Sequence, residues 1–277
     1  MYHAPRYDRA LLLGEKRDEI LTLDEVRRYG QDSFGDPDYV CVYGLRPGEW
    51  YDRGVRLLGR TAVECTRDPL ARRMARDIAA VAGTAGAVAR LALDLFAGSG
   101  NTLYWITRET AARRGIGFEL DPGVFRLARG NLAGLGLDVE LRPQGYEGGL
   151  AALGPPAEDL VIVFVAPPWG DALREGPGLD LARTQPPVAE AVDVVTGLLG
   201  GRPLLFAAQI YERTEPASLA TLTARFAWSA THVYNLDKAG FNHGLLLGTQ
   251  GWTPGPSPGR AGWHSPERAG GPRRRLD

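Results

Sequence analysis

The sequence predicts an α/β fold built on a doubly wound, mostly parallel sheet. Three observations carry that prediction. Between about residues 90 and 252, short apolar runs alternate with stretches of helical periodicity, the pattern of buried strands with crossover helices on the sheet faces. A glycine-rich turn, "DLFAGSGNT" (94–102), joins the first run to a helix. The last two runs are separated by only "DKAGFN" (237–242), too short for a crossover, so these two strands pair antiparallel.

The elements follow in order. In residues 1–88, a charged and aromatic region, "LTLDEVRRYG" (21–30) predicts one helix and "TRDPLARRMARDIAAVAG" (66–83) a stronger one. Thr66 or Asp68 is the expected cap of the latter, Pro69 its first turn and Gly83 its stop. Residues 89–252 form the sheet domain. Its strands are "LALDLF", "GIGFEL", "VELRP", "LVIVFVA", "PLLFAAQI", "SATHVYNL" and "HGLLLGTQ". Its helices are "GNTLYWITRETAARR", "GVFRLARGNLAGLG", "PPVAEAVDVVTGLLG" and "ASLATLTARFA". Residues 253–277 are rich in proline and glycine without apolar periodicity and predict a disordered tail.

Composition narrows the function. A net charge of −1 gives no global attraction to nucleic acid or anionic lipid. No apolar run is long enough to span a bilayer, and the charged start has no signal-peptide core. The two cysteines, Cys41 and Cys65, are therefore expected to be reduced thiols in a cytoplasmic protein. His3, His232, His243 and His264 have no zinc-type spacing with them, so no metal is expected. High Ala, Gly, Arg and Pro usage points to a GC-rich bacterial source and, by association, to biosynthesis.

In the glycine-rich turn, Gly98 and Gly100 allow a tight bend and close approach of a ligand. Glu119 ends the next strand, where a carboxylate can take both hydroxyls of a ribose. A dinucleotide site would want a third glycine where Leu103 stands, and a phosphate-binding loop would want Gly-Lys-Ser/Thr, which is missing. Asp94, at the strand end, would repel a pyrophosphate but suits a cationic ligand.

"DLFAGSGNT", "GFELDP" and "APPWG" (166–170), in this order and spacing, resemble class I SAM-dependent methyltransferases. Within them they are similar to the amino-methylating branch with an [N/D/S]-P-P-[Y/F/W] motif, the trimethylguanosine synthase type being the variant whose motif also ends P-P-W-G. The resemblance covers about residues 60–180 and, loosely, the last hairpin. It implies a Rossmann-like seven-stranded sheet with an antiparallel last strand and S-adenosyl-L-methionine (SAM) as cofactor. Asp94 would sit near the methionyl ammonium. Gly98 and Gly100 would pass beside the methionyl and ribose parts, with Phe96, Asn101 and Thr102 in the same stretch. Glu119 would bind the ribose and Leu120 would pack on adenine. The family's Gly-Asp after the third strand is here Gln144-Gly145-Tyr146, so Gln144 or a backbone carbonyl would replace the Asp. Thr66 would begin a helix that receives the methionyl carboxylate, or would simply cap it.

The motif departs from the family at Ala166, where a polar side chain normally accepts from the target nitrogen. Three answers are open. The carbonyls of Ala166 and Pro167 aim an external amine, with Trp169 stacked on a flat acceptor, giving N-methyl transfer to a small molecule. Alternatively SAM cyclises on itself to azetidine-2-carboxylate and methylthioadenosine. Lastly, the site binds SAM without turnover. An RNA cap guanine-N2 acceptor would want a basic, aromatic groove. Arg27-Arg28, Arg72-Arg73 and Arg113-Arg114 are interleaved with acids, so a small molecule is favoured over RNA. The aromatics Tyr2, Tyr7, Tyr29, Tyr39, Tyr43, Trp50 and Tyr51 are expected mostly to pack a helical lid, some facing the sulfonium. Oligomeric state is not legible.

Overall fold

The structure, a computed structural model of the 277-residue chain, describes residues 6–174, 176, 178–235 and 243–255. Among the described residues, the first 88 carry α1 (Arg9–Leu13), α2 (Leu23–Phe34), α3 (Pro47–Asp52), α4 (Gly59–Glu64) and α5 (Asp68–Ala82), joined by turns and isolated bridges. Thr22 and Glu25 form a reciprocal capping box that starts α2, and Gly35 in the left-handed region ends it. The expected cap of α5 is corrected by the structure. Arg67 is the N-cap residue and makes no side-chain cap bond. Asp68 is buried instead, accepting from Trp105 Nε1 at 2.6 Å and Gly44 N at 2.8 Å; two distant donors hold its carboxylate away from its own helix.

The sheet elements alternate as the apolar runs predict: β1 (Arg90–Asp94), α6 (Asn101–Glu109), β2 (Arg114–Phe118), α7 (Pro122–Gly134), β3 (Glu140–Arg142), α8 (Tyr146–Leu153) and β4 (Leu160–Val165). A small hairpin follows, β5 (Leu173–Arg174) and β6 (Gly178–Leu179), then α9 (Val188–Leu199), β7 (Leu204–Tyr211), α10 (Pro216–Thr223), β8 (Trp228–Tyr234) and β9 (His243–Gln250). The main sheet has seven strands in the order β3-β2-β1-β4-β7-β9-β8, all parallel except β9. The α/β class, the seven strands and the antiparallel last strand are those expected from the sequence. The segment "DKAGFN" and most of the expected tail, from residue 256 onward, lie outside the described residues.

Each sheet face has its own core. On one, Ala92, Ile162, Phe164, Leu205 and Ala207 pack with α5, α6 and α7 and with Leu12, Val26, Val42 and Trp50 of the N-terminal helices. The boundary expected at 88/89 therefore does not interrupt the core: the N-terminal region is one of the layers that bury this face. On the other face, Leu93, Val163 and Phe206 pack with α8, α9 and α10. Helix α8 is not visible as a helix in the sequence because "YEGGLAAL" carries two glycines, poor helix formers. The contact explains one of them: a Cβ on Gly149 would lie 2.1 Å from the Phe118 ring, so glycine is what lets α8 approach the sheet. Among the described residues no helix is long and apolar enough to cross a membrane.

Chain connections leave β1 and β4 in opposite directions, which opens a crevice at the carboxyl ends of these neighbouring strands. Asp94 ends β1 and Ala166 follows β4, while Glu119 follows β2, the strand on the other side of β1.

Candidate functional site

The β1–α6 turn is shaped by two left-handed glycines, Gly98 at φ +51° and Gly100 at φ +77°. They differ in surroundings. A Cβ on Gly98 would meet nothing within 4 Å, whereas one on Gly100 would press to 3.1 Å from Leu132. Gly98 borders open space on the crevice side, and Gly100 is a packing glycine. Glu119 holds this turn from β2: Oε2 accepts from Gly98 N at 2.9 Å, and Oε1 accepts from Asp121 N at 2.8 Å. A carboxylate has about four lone-pair sites, so half its accepting capacity remains. Burial pushes the Glu119 carboxyl above the usual carboxylate range, against the pull of the two backbone donors.

Asp94 is buried beside it. Among the described residues its carboxylate accepts one hydrogen bond, from Phe96 N at 3.1 Å. Burial, with the neighbouring Glu119 charge adding, pushes its carboxyl up to about 7. A buried carboxyl with a single donor is costly in its ionised form, and a cation placed in the crevice would relieve that cost.

The turn is tied to the N-terminal layer through Asn101, which is fully buried. Asn101 Nδ2 donates to Thr66 O at 2.7 Å, and its Oδ1 accepts from Tyr43 N at 2.7 Å. Tyr43 has φ +58°, an unusual conformation for a tyrosine, and its hydroxyl donates to Ser99 O at 2.5 Å. Tyr43 thus clamps the glycine-rich turn from outside. Thr102 is buried in the first turn of α6. Leu120 is 76% exposed next to Glu119, free to cover a flat group. Phe96 and Tyr146 touch edge to face at 5.4 Å; Tyr146 is buried in the second core. Gln144 is half-buried, its backbone N–H given to Arg142 O.

Across the crevice, "APPWG" turns away from β4. Ala166 is half-buried and Pro167 buried. The Trp169 ring stacks on His243 at 5.2 Å and meets Tyr211 edge-on at 6.1 Å. Thr66 faces this side, not its own helix: Oγ1 donates to Gln209 Oε1 at 3.2 Å, and the Gln209 amide nitrogen lies 3.1 Å from His243 Nδ1. Burial, with Arg67 and Arg9 adding, lowers His243 to about 4.

The predicted site residues therefore fall into two groups. Asp94, Gly98, Asn101 and Glu119 meet around one turn, and Ala166, Pro167 and Trp169 stand opposite. Gln209, Tyr211 and His243 belong to the second group and Tyr43 to the first, and none of the four was read from the sequence as a site residue. Gln209 left one signal, a lone amide in the otherwise apolar "LLFAAQI". His243 left only its residue type. Of the N-terminal aromatics, Tyr7, Tyr29, Tyr43 and Trp50 are buried, while Arg67 covers the Tyr39 ring and Arg56 the Tyr51 ring; Tyr2 lies outside the described residues.

No protein-family model matches the chain, and no curated protein matches it. Among solved structures it is similar to a methyltransferase from Geobacter sulfurreducens, 16% identical, covering 68% of this chain and 80% of that one, with a TM-score of 0.42. An rRNA methylase from Streptococcus thermophilus is 13% identical, with 66% and 98% covered and a TM-score of 0.42. A protein described as a probable spermidine synthase, from Corynebacterium glutamicum, is 15% identical, with 70% and 68% covered and a TM-score of 0.46.

Proposed function

We propose that this chain is a SAM-dependent methyltransferase that alkylates a nitrogen of a small-molecule acceptor. One observation carries the reading: Asp94, a buried carboxyl with one donor among the described residues, lies beside the Glu119 carboxylate and the Gly98 turn at the end of β1, whose neighbour β4 runs into "APPWG". This donor set fits a cationic nucleoside. Glu119 would accept from the ribose hydroxyls, Asp94 would face the ammonium and sulfonium end, and exposed Leu120 would cover the adenine. SAM, when bound, supplies an already activated methyl group, so the protein's share is positioning and water exclusion. The carbonyls of Ala166 and Pro167 would accept from the amine and aim its lone pair. Trp169, with the Tyr211 ring at its edge and His243 stacked on it, would form a flat wall for the acceptor.

A small acceptor is favoured over RNA by the charge pattern. Arg27 pairs with Asp38, Arg72 with Glu109, and Arg114 with Glu158, so these arginines are not gathered into a bare basic groove of the kind phosphate contacts require. The test is product analysis by mass spectrometry. SAM alone should persist, and S-adenosylhomocysteine should form once an amine acceptor is supplied. Methylthioadenosine and a cyclic amino acid from SAM alone would replace methyl transfer with cyclisation.

A further inference from the structure

In an [N/D/S]-P-P-[Y/F/W] loop the polar side chain stands where this chain has Ala166. The register shows what lies next to that position. Phe164 pairs with Ala207 and Val165 with Ala208, so the same register carried one residue past β4 sets Ala166 beside Gln209. Phe164 and Ala207 both belong to the core on the N-terminal-helix side. By the two-residue period of a strand, Ala166 and Gln209 point to that side too. A polar amide therefore sits one strand over from the missing one, on the same face and at the same level.

That amide is committed to others. Gln209 Oε1 accepts from the Thr66 hydroxyl, which leaves its NH₂ group for His243 Nδ1. A neutral imidazole that accepts at Nδ1 carries its proton on Nε2. His243 Nε2 has no hydrogen-bond partner among the described residues, and it is not one of the fully buried unpartnered atoms. The ring lies against Trp169 at an interplanar angle of 27°. Arg67 and Arg9 act on it from the N-terminal layer and Glu212 from the end of β7; the two guanidiniums disfavour a second proton. Thr66 also reaches the cofactor turn, since its carbonyl accepts from Asn101 Nδ2.

We propose that His243, held as the Nε2–H tautomer by Thr66 and Gln209, supplies a polar contact of a different kind beside the apolar Ala166: it donates to a carbonyl or carboxylate oxygen on a flat acceptor that lies against Trp169. His243 is then a substrate-orienting donor and not a general base, while Thr66 and Gln209 are positioning residues. The proposal rests on the methyl-transfer reading for the identity of the acceptor, but the tautomer and the oxygen contact do not require it.

The experiment is NMR on protein labelled with ¹⁵N-histidine, with benzoate as a flat oxygen-bearing probe. His243 should be neutral and protonated on Nε2 at pH 7. Gln209→Glu should shift the proton to Nδ1 or charge the ring, and Thr66→Val, which adds no charge, should mix the tautomers. Benzoate added with S-adenosylhomocysteine should move the His243 and Trp169 signals. His243→Phe, which keeps a ring against Trp169, should weaken benzoate at least tenfold while SAM affinity by calorimetry stays within twofold. A wild-type His243 protonated on Nδ1, or one that benzoate leaves unmoved, overturns the proposal. Absence of SAM binding alongside the expected tautomer and benzoate response would sink methyl transfer while supporting His243 as a reader of oxygen.

Discussion

The two banks of the crevice are built differently. On the β1–β2 bank the polar groups come from one continuous stretch: Asp94, Gly98 and Glu119 meet through bonds spanning about one βαβ unit. On the β4–β7–β9 bank the network joins residues far apart in the chain, Thr66 to Gln209 and Gln209 to His243. The first bank is a local motif whose spacing fixes its geometry. The second exists only because the segment leading into α5 reaches β7 through Thr66 and the antiparallel β9 returns next to β7. The polar groups of the first bank are near neighbours in the chain, whereas the second bank depends on the whole sheet order.

Four substitutions probe that contrast, beginning with the joint between the banks. Asn101→Ala removes two buried hydrogen bonds, to Thr66 O and from Tyr43 N, and leaves both partners unsatisfied. Each such group costs about 1–3 kcal/mol, so urea denaturation should show a loss of several kcal/mol, and both ligand binding and the His243 tautomer should suffer together. If only one bank responds, Asn101 is not the joint.

Glu119→Ala should act on one bank only. Bonds to charged groups are worth about 1.5–3 kcal/mol, so SAM affinity by calorimetry should drop more than tenfold while His243 keeps its tautomer. Unchanged affinity would remove the ribose assignment.

Asp94 gives a pH signature. Its carboxyl stands at about 7 in the folded chain, above its ordinary value of 3.8. The folded state therefore holds this proton where the unfolded state has lost it, and its contribution to stability declines as pH rises from about 4 through 7. A cationic ligand prefers the ionised form, so SAM affinity should rise roughly tenfold between pH 6 and 8, with a proton released on binding below 7. Calorimetry in two buffers of different ionisation enthalpy measures the release. Asp94→Asn should flatten the profile, and a flat profile in the wild type would contradict the role.

The smallest effect is expected at Ala166. An asparagine there adds one acceptor, worth about 0.5–1.5 kcal/mol, beside a bank that already has Gln209 and His243. SAM affinity should be unchanged, and turnover of an amine acceptor should stay within about tenfold of wild type. A collapse of turnover, with SAM still bound, would mean that the space at Ala166 is itself occupied during the reaction.

The sequence by itself determined the sheet class, the antiparallel last pair, the glycine turn and the Glu119 position. These depend on period-2 and period-3.6 patterns and on spacings within a few tens of residues, which a chain carries wherever it folds. It did not reveal that Tyr43 clamps the turn, that Asp68 gives up capping α5 to take two distant donors, or that glycine admits α8 against Phe118. Nor did it show Gln209 and His243 beside Trp169. Each of those facts is a contact between residues distant in the chain, and sequence spacing says nothing about such a contact until the strand order β1-β4-β7-β9 brings the partners within hydrogen-bonding reach. Tertiary structure decided this second bank because a hydrogen bond acts over about 3 Å, and only the folded sheet brings residues 66, 209 and 243 to one edge.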